Sequence, residues 1–129
     1  MNLPTDRKYT KEHEWAKING AVAIVGITDY AQSSLGDIVY VEMPKPGAKV
    51  EQFKQMGVIE SVKAVSDIYA PLSGTIAEIN GEVENDPAKV NNDPYDGGWL
   101  VKITMSDPSE AKNLMDAPDY QKVVDEAAH

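Results

Sequence analysis

Few side chains in this chain are equipped for chemistry, and the most conspicuous is a lysine. Lys63 stands in Glu60-Ser61-Val62-Lys63-Ala64, where two β-type runs meet. Flanked by small or β-branched residues in a tight turn, its amine projects into solvent with nothing to pair it, which suits modification by another enzyme. The local pattern by itself reads more simply as an ordinary solvated turn lysine. Glu12, Glu14 and Asp67 have an equally plain default as solvated surface charges. His13 lies between two glutamates, but the only other histidine is His129 and alternate residues of an extended segment face opposite sides. A metal-ligand set therefore does not converge. The chain has no cysteine, which removes disulfides, thiolate nucleophiles and thiolate metal sites together, so any redox chemistry must come from an attached group. With no convergent nucleophile, base or metal set, a free-standing enzyme is the weakest functional class.

These residues need a scaffold, and 129 residues are enough for one domain with a core of ordinary size. The net charge of −9 makes nucleic acid and membrane surfaces poor partners, because such a field repels phosphate backbones and anionic lipids. The first residues carry no apolar stretch of signal-peptide type, and the longest apolar run, Ala21 to Val25, is too short to span a bilayer. A cytoplasmic protein of bacterial type is the simplest setting, with a mature organellar chain as the alternative.

Short β-type runs closed by Gly, Pro or Asn predict strands at about Trp15–Ile18, Ala21–Ile27, Ile38–Met43, Gly57–Val62, Ile68–Ala70, Gly74–Ile79 and Trp99–Met105. Asn19-Gly20 predicts a two-residue type I′ hairpin. Alternation puts Val39, Val41 and Met43 on one buried face, and Trp99, Val101, Ile103 and Met105 on another. Helices are expected from Thr28 to Leu35, with Thr28 as N-cap and Gly36 as stop, and from the Asx-Pro starts at Asp107-Pro108 and near Asp116-Ala117-Pro118. The last of these, Pro118 to Ala128, places Tyr120, Val123, Val124 and Ala127 on one stripe that packs as a structural cap. Trp15, Tyr95 and Trp99 read as core or corner aromatics. Gly97-Gly98 reads as a turn into a strand rather than a phosphate loop, since no helix start follows. A faint echo between Gly47-Ala48-Lys49-Val50-Glu51 and Gly81-Glu82-Val83-Glu84 fits either two quasi-equivalent halves or chance.

Gly47 lies sixteen residues before Lys63 and Gly74 eleven after it, a two-sided framing that resembles lipoyl-bearing domains. Taken with Tyr9-Thr10-Lys11-Glu12-His13-Glu14-Trp15, Gly26-Ile27-Thr28-Asp29-Tyr30-Ala31-Gln32, Leu35-Gly36-Asp37-Ile38-Val39 and Asn92-Asp93-Pro94-Tyr95-Asp96-Gly97-Gly98-Trp99-Leu100, the chain resembles the H-protein family of the glycine cleavage system from about Lys8 onwards. Ala88-Lys89-Val90 and Met43 depart from the family's usual residues, which bears on local packing rather than on Lys63.

The resemblance implies a mainly β fold, the barrel-sandwich hybrid of lipoyl and biotinyl carriers, with a short internal helix and C-terminal helices. It implies one lipoyl-carrier domain over residues 1–129, its core at about 15–105 and its helical cap at about 107–128. Lys63 matches the family's attachment site for lipoate, and Glu60, Val62 and Ala64 around it are the candidates for recognition by a lipoate-attaching enzyme. The family is a shuttle rather than an enzyme. It carries an aminomethyl group from glycine decarboxylase (P protein) to the aminomethyltransferase (T protein), and reducing equivalents to dihydrolipoyl dehydrogenase (L protein). The resemblance also places a cleft near Glu14 and Asp67, where a carboxylate would hold the cationic amine of the loaded arm by a charge-assisted hydrogen bond. A lipoyl relay that donates its cofactor to 2-oxoacid dehydrogenases uses the same lysine and stays open. Biotinyl carriers usually place Met on both sides of the modified lysine, and Val62 and Ala64 argue against that class.

Overall fold

The computed structural model describes residues 3–127; the end of the expected cap at residue 128 and His129 lie outside them. Six strands form one antiparallel sheet in the order β1-β2-β3-β9-β8-β5: β1 Lys8–Tyr9, β2 Glu14–Asn19, β3 Val22–Ile27, β9 Val101–Met105, β8 Gly74–Ile79 and β5 Lys49–Val50. Three more, β4 Ile38–Glu42, β6 Gln55–Ser61 and β7 Val65–Tyr69, form a second sheet in the order β4-β6-β7. Apolar residues from both sheets meet in one core, among them Val25, Ile76, Val101 and Ile103 from the larger sheet and Val41, Ile59 and Ile68 from the smaller. This is the mainly β, two-sheet barrel-sandwich architecture expected.

The alternation in Val101, Ile103 and Met105 buries one face of β9 as expected, while Trp99 precedes the strand and packs in a second, aromatic cluster with Tyr9, Trp15 and Tyr120. Three local expectations are corrected. The β2–β3 register pairs Asn19 with Val22, so Gly20 and Ala21 form the loop and Gly20 takes the positive φ of 62°. Glycine at the first loop position fits a type II′ turn rather than type I′, and Asn19 stays in strand geometry. In β4 an irregularity between Ile38 and Tyr40 interrupts the ladder. Ile38 and Val41 face the core, while Val39 and Tyr40 are both exposed, since a bulge consumes an extra residue and breaks the period of two. Finally, Gly81-Glu82-Val83-Glu84 is helical whereas Lys49-Val50 is strand, so the two echoing segments are not structural equivalents.

Helix α1, Asp29–Leu35, has the expected caps: the Thr28 side chain accepts from Ala31 N–H, and Gly36 ends it at φ 79°. Two short helices, α2 Gly81–Asn85 and α3 Ala88–Asn92, were not anticipated. Asn80 caps α2 by accepting from Glu82 N–H, and Val83 and Val90 reach the core. The Asp107-Pro108 start gives a 3₁₀ segment, Pro108–Asn113, in which Asp107 accepts from Ser109 N–H. Helix α4, Ala117–Ala127, buries Ala117, Tyr120 and Val124 against the aromatic cluster, with Val123 half-buried beside them; Ala127, expected on the same stripe, is exposed because the helix end runs past the cluster. Gly74, at the start of β8, marks a close approach: a Cβ there would lie 2.0 Å from the Thr104 carbonyl oxygen.

Candidate functional site

The β6–β7 hairpin ends in a turn made almost wholly by its own residues. Ser61 N–H donates to the Ala64 carbonyl at 2.8 Å, and the Ser61 hydroxyl accepts from Lys63 N–H at 3.3 Å and Ala64 N–H at 3.1 Å. Val62 N–H donates to the Asp37 carbonyl at 3.0 Å, which ties the tip to the segment leaving α1. The turn needs no left-handed residue; among the described residues, positive φ outside glycine occurs at His13 and Phe53. Val62, Lys63 and Ala64 are all exposed. The lysine stem runs past Gly36, where a Cβ would stand 3.5 Å from Lys63 Cε. Its amine has no hydrogen bond or ion pair among the described residues.

From the tip, β7 leads back along the molecule as an edge strand. Val65, Asp67 and Tyr69 alternate on one face of it while Ile68 is buried on the other. At about 3.3 Å per residue, Asp67 lies roughly 13 Å and Tyr69 roughly 20 Å from Lys63 along the strand. Tyr69 opens onto a cleft of about 550 Å³ lined also by Thr10, Lys11, Glu12, Phe53, Asn113 and Met115. Four separate stretches of chain therefore build it.

Glu14 sits beneath this cleft rather than in its open wall, with 2% of its surface exposed. Its Oε1 accepts from the Thr10 hydroxyl at 2.5 Å and its Oε2 from Tyr69 N–H at 3.1 Å. The carboxylate thus caps a backbone donor on the free edge of the smaller sheet, 55 residues away in sequence. Burial pushes the Glu14 carboxyl up to about 7, against the opposing pull of the Thr10 and Tyr69 hydrogen bonds. It is a carboxyl poised between its two protonation states at neutral pH. Asp67 is exposed and accepts from Gln55 Nε2 at 3.4 Å. The charge of Asp67, then burial, then the charges of Glu12 and Glu14 raise the Tyr69 hydroxyl above its usual value. Of the three carboxylates only Glu12, whose sequence context suggested a solvated charge, lines the cleft, beside the cation of Lys11; Glu14 and Asp67, expected near it, lie beneath it and on the exposed edge strand.

The turn that delivers Glu14 is held from behind. Thr10 N–H donates to the Glu14 carbonyl at 2.9 Å and His13 N–H to the Thr10 carbonyl at 3.2 Å, while the Thr10 hydroxyl accepts from the N–H groups of Glu12 and Glu14. His13 takes φ 74°, an uncommon conformation for a residue with a side chain. Its ring packs 4.8 Å from that of Tyr30, and Nδ1 lies 2.7 Å from the Tyr120 hydroxyl of α4. That hydroxyl is also 2.8 Å from Thr28 Oγ1, the N-cap of α1. Burial depresses the His13 imidazole. His13 is thus a fastening between the turn and the helical cap. Phe53, Tyr69 and Thr10 were not singled out from sequence. For Thr10 a signal existed, since a threonine four residues before a glutamate in a turn can return its hydroxyl to that side chain.

A family model described as Glycine cleavage H-protein matches residues 7–127. The chain is 53% identical over 119 residues to the glycine cleavage system H protein of Myxococcus xanthus, covering 92% of each. It is 53% identical over 126 residues to the protein of that name from Acidobacterium capsulatum, covering 98% of this chain and 97% of the relative. The crystal structure of a glycine cleavage system H protein from Mycobacterium marinum superposes with a TM-score of 0.84 at 41% identity, over 92% of this chain and 95% of that one. The family model matched along nearly the whole length, the identity to these relatives and the shared two-sheet scaffold place this chain in the glycine cleavage H-protein family, the lipoyl carriers of the glycine cleavage system.

Proposed function

We propose that Lys63 carries lipoate in amide linkage and that the cleft beside Tyr69 receives the end of that arm. The observation that carries this reading is the unpaired Lys63 amine at the tip of a strand whose exposed face leads to the cleft. Attachment forms one amide bond between Nζ and the acyl carbon of an activated lipoyl donor; the donor's leaving group departs and the amine gives up a proton. A lysine stem of about 6 Å extended by roughly 10 Å of acyl chain spans the roughly 13 Å to Asp67 and approaches Tyr69. When bound, lipoate supplies a disulfide that takes up an aminomethyl group and two electrons.

This chain's own residues offer what such an arm needs. Phe53, Tyr69 and Met115 give the cleft apolar surface for a hydrocarbon chain, and Glu12 in its lining, with Asp67 and the buried Glu14 nearby, outweighs the one cation there, Lys11, in the charge offered to an amine. A cation arriving above Glu14 favours the ionised carboxylate, so its charge is drawn out by the amine it serves to hold. An arm lying against Phe53, Tyr69 and Met115 would in turn have its hydrolysable end partly covered by these side chains. The whole of residues 1–129 acts as one carrier unit, a reading supported by the core that both sheets share. Its partners are glycine decarboxylase, the aminomethyltransferase, dihydrolipoyl dehydrogenase and a lipoate-attaching enzyme, and the bacterial relatives support a cytoplasmic setting.

Intact-mass and peptide mass spectrometry of protein made in lipoate-replete cells tests the assignment: the expected adduct is about 188 Da on Lys63. An unmodified Lys63, or lipoate on a different lysine, would overturn it. Lys63→Arg should remove the adduct and glycine cleavage while leaving thermal stability unchanged, because the exposed tip contributes little packing.

A further inference from the structure

Six large apolar side chains are exposed among the described residues: Ile18, Val39, Tyr40, Phe53, Val62 and Val65. Phe53 belongs to the cleft and Ile18 to the larger sheet. The other four gather around Lys63. Strand register shows how. Tyr40 pairs with Glu60 and Glu60 with Val65, so these three form one row across the smaller sheet; Glu42, Val58 and Asp67 form the next row on the same face. Val62 continues that face onto the tip, and the irregularity between Ile38 and Tyr40 turns Val39 outward beside it. Val39 and Tyr40 keep 53% and 48% of their surface exposed. A strand in regular alternation would have hidden one of the two, and bulges are a common means of re-aiming side chains next to functional sites.

The result is a platform of apolar side chains interspersed with carboxylates: Glu60 lies at the centre of its row, between Tyr40 and Val65, and Glu42 and Asp67 flank Val58 in the next, with no lysine or arginine in either row. Such a face is complementary to a protein surface that pairs an apolar pocket with basic side chains at its rim. The position of the platform selects among enzymes that act on this carrier. An enzyme that works on the end of a fully extended arm meets its substrate some 15 Å from the hairpin and need not touch this face. An enzyme that acylates the bare lysine must bring its active site within about 6 Å of the backbone at the tip. One flank of the tip is already taken by Gly36 at the end of α1, which leaves the platform as the open side.

We propose that the Val39–Tyr40 bulge is the apolar anchor of a docking face for the enzyme that acylates Lys63, and that this enzyme meets it with an apolar pocket rimmed by basic residues. The inference rests on the reading of Lys63 as the lipoyl site and adds to it a surface one strand removed from the lysine.

The test is steady-state lipoylation of the full chain by a purified lipoate-attaching enzyme, comparing wild type with the double variant Val39→Ser, Tyr40→Ser and with Glu42→Lys. Ile18→Ser, another exposed apolar residue on the other sheet, is the control. Thermal melts verify folding before kinetics. The double variant should raise KM for the carrier about tenfold with kcat within about twofold, the pattern of lost binding without lost chemistry. Glu42→Lys should raise KM by a smaller factor that shrinks with added salt, and Ile18→Ser should change neither constant. Unchanged KM in both platform variants, with Lys63 still acylated, would overturn the docking face and leave the carrier reading standing. A wild-type chain that is not acylated at Lys63 would overturn the carrier reading, and this inference with it. Should the double variant melt early, Glu42→Lys, at an exposed position, decides the question alone.

Discussion

Glu14→Gln isolates the most consequential energy in the site, the burial of an ionisable carboxyl group. The side chain is almost wholly enclosed and its pKa stands at about 7 against an ordinary value of 4.5. A folded-state pKa raised above the unfolded one means that the folded chain holds more protons between those two values. Stability from this group is therefore fully present below about pH 4.5 and is lost as pH rises through about 7. A shift of this size corresponds to about 3 kcal/mol, most of it falling between pH 5 and 8. Glutamine keeps the size and an oxygen for Tyr69 N–H but cannot ionise, so the variant should lack this slope. The assay is urea unfolding of wild type and Glu14→Gln at intervals from pH 5 to 8, read as the difference in stability between them. Wild type should lose about 2 to 3 kcal/mol relative to the variant as pH rises. Parallel curves would refute the reasoning, since they would show that Glu14 stays ionised and solvated throughout. On the proposed reading of the cleft, the same variant should leave Lys63 acylation unchanged and shorten the lifetime of the loaded carrier in the absence of its partners, because the negative potential of a buried carboxylate beneath the cleft is gone.

Tyr120→Phe keeps the ring stacked on Tyr9 at 4.8 Å but leaves His13 Nδ1 and Thr28 Oγ1 without their shared partner, and should cost about 1 to 3 kcal/mol. Hydrogen exchange should then rise first in residues 10–14 and the start of α1; a uniform rise across both sheets would contradict the fastening role. Gly74→Ala forces a Cβ to within 2.0 Å of the Thr104 carbonyl, and should lower stability by more than about 3 kcal/mol, measured by thermal denaturation. A melting temperature like that of wild type would show that β8 and β9 separate more easily than their close approach implies. With a net charge of −9, association with glycine decarboxylase or the aminomethyltransferase should slow as salt rises, measured by stopped flow. A salt-independent association rate would remove electrostatic steering without touching the carrier assignment.

Features whose causes lie within a few residues were legible in the amino-acid sequence. The exposure of Lys63 follows from a turn closed by Ser61 and Ala64, and the limits of α1 follow from Thr28 and Gly36. The α4 stripe at Tyr120 and Val124 and the alternation in β9 were likewise visible, because a periodic apolar pattern needs only a core to face. Even the local rules failed where pairing chose between near-equal options. One residue of register moved the β2–β3 turn from Asn19-Gly20 to Gly20-Ala21, and one extra residue in β4 sent Val39 outward.

What only the tertiary structure decided is the character of the acidic site. Glu12, Glu14 and Asp67 look alike in sequence, yet one lines a cleft, one is enclosed beneath it and one lies open on an edge strand. The cleft itself joins Thr10, Phe53, Tyr69 and Met115, which no local pattern groups. The physical reason is that desolvation depends on what packs over a side chain. Glu14 owes its raised pKa to burial, and its second hydrogen bond to a backbone donor 55 residues away. The chain determined by itself which lysine stands exposed at a hairpin tip; folding alone determined the cleft to which the following strand leads.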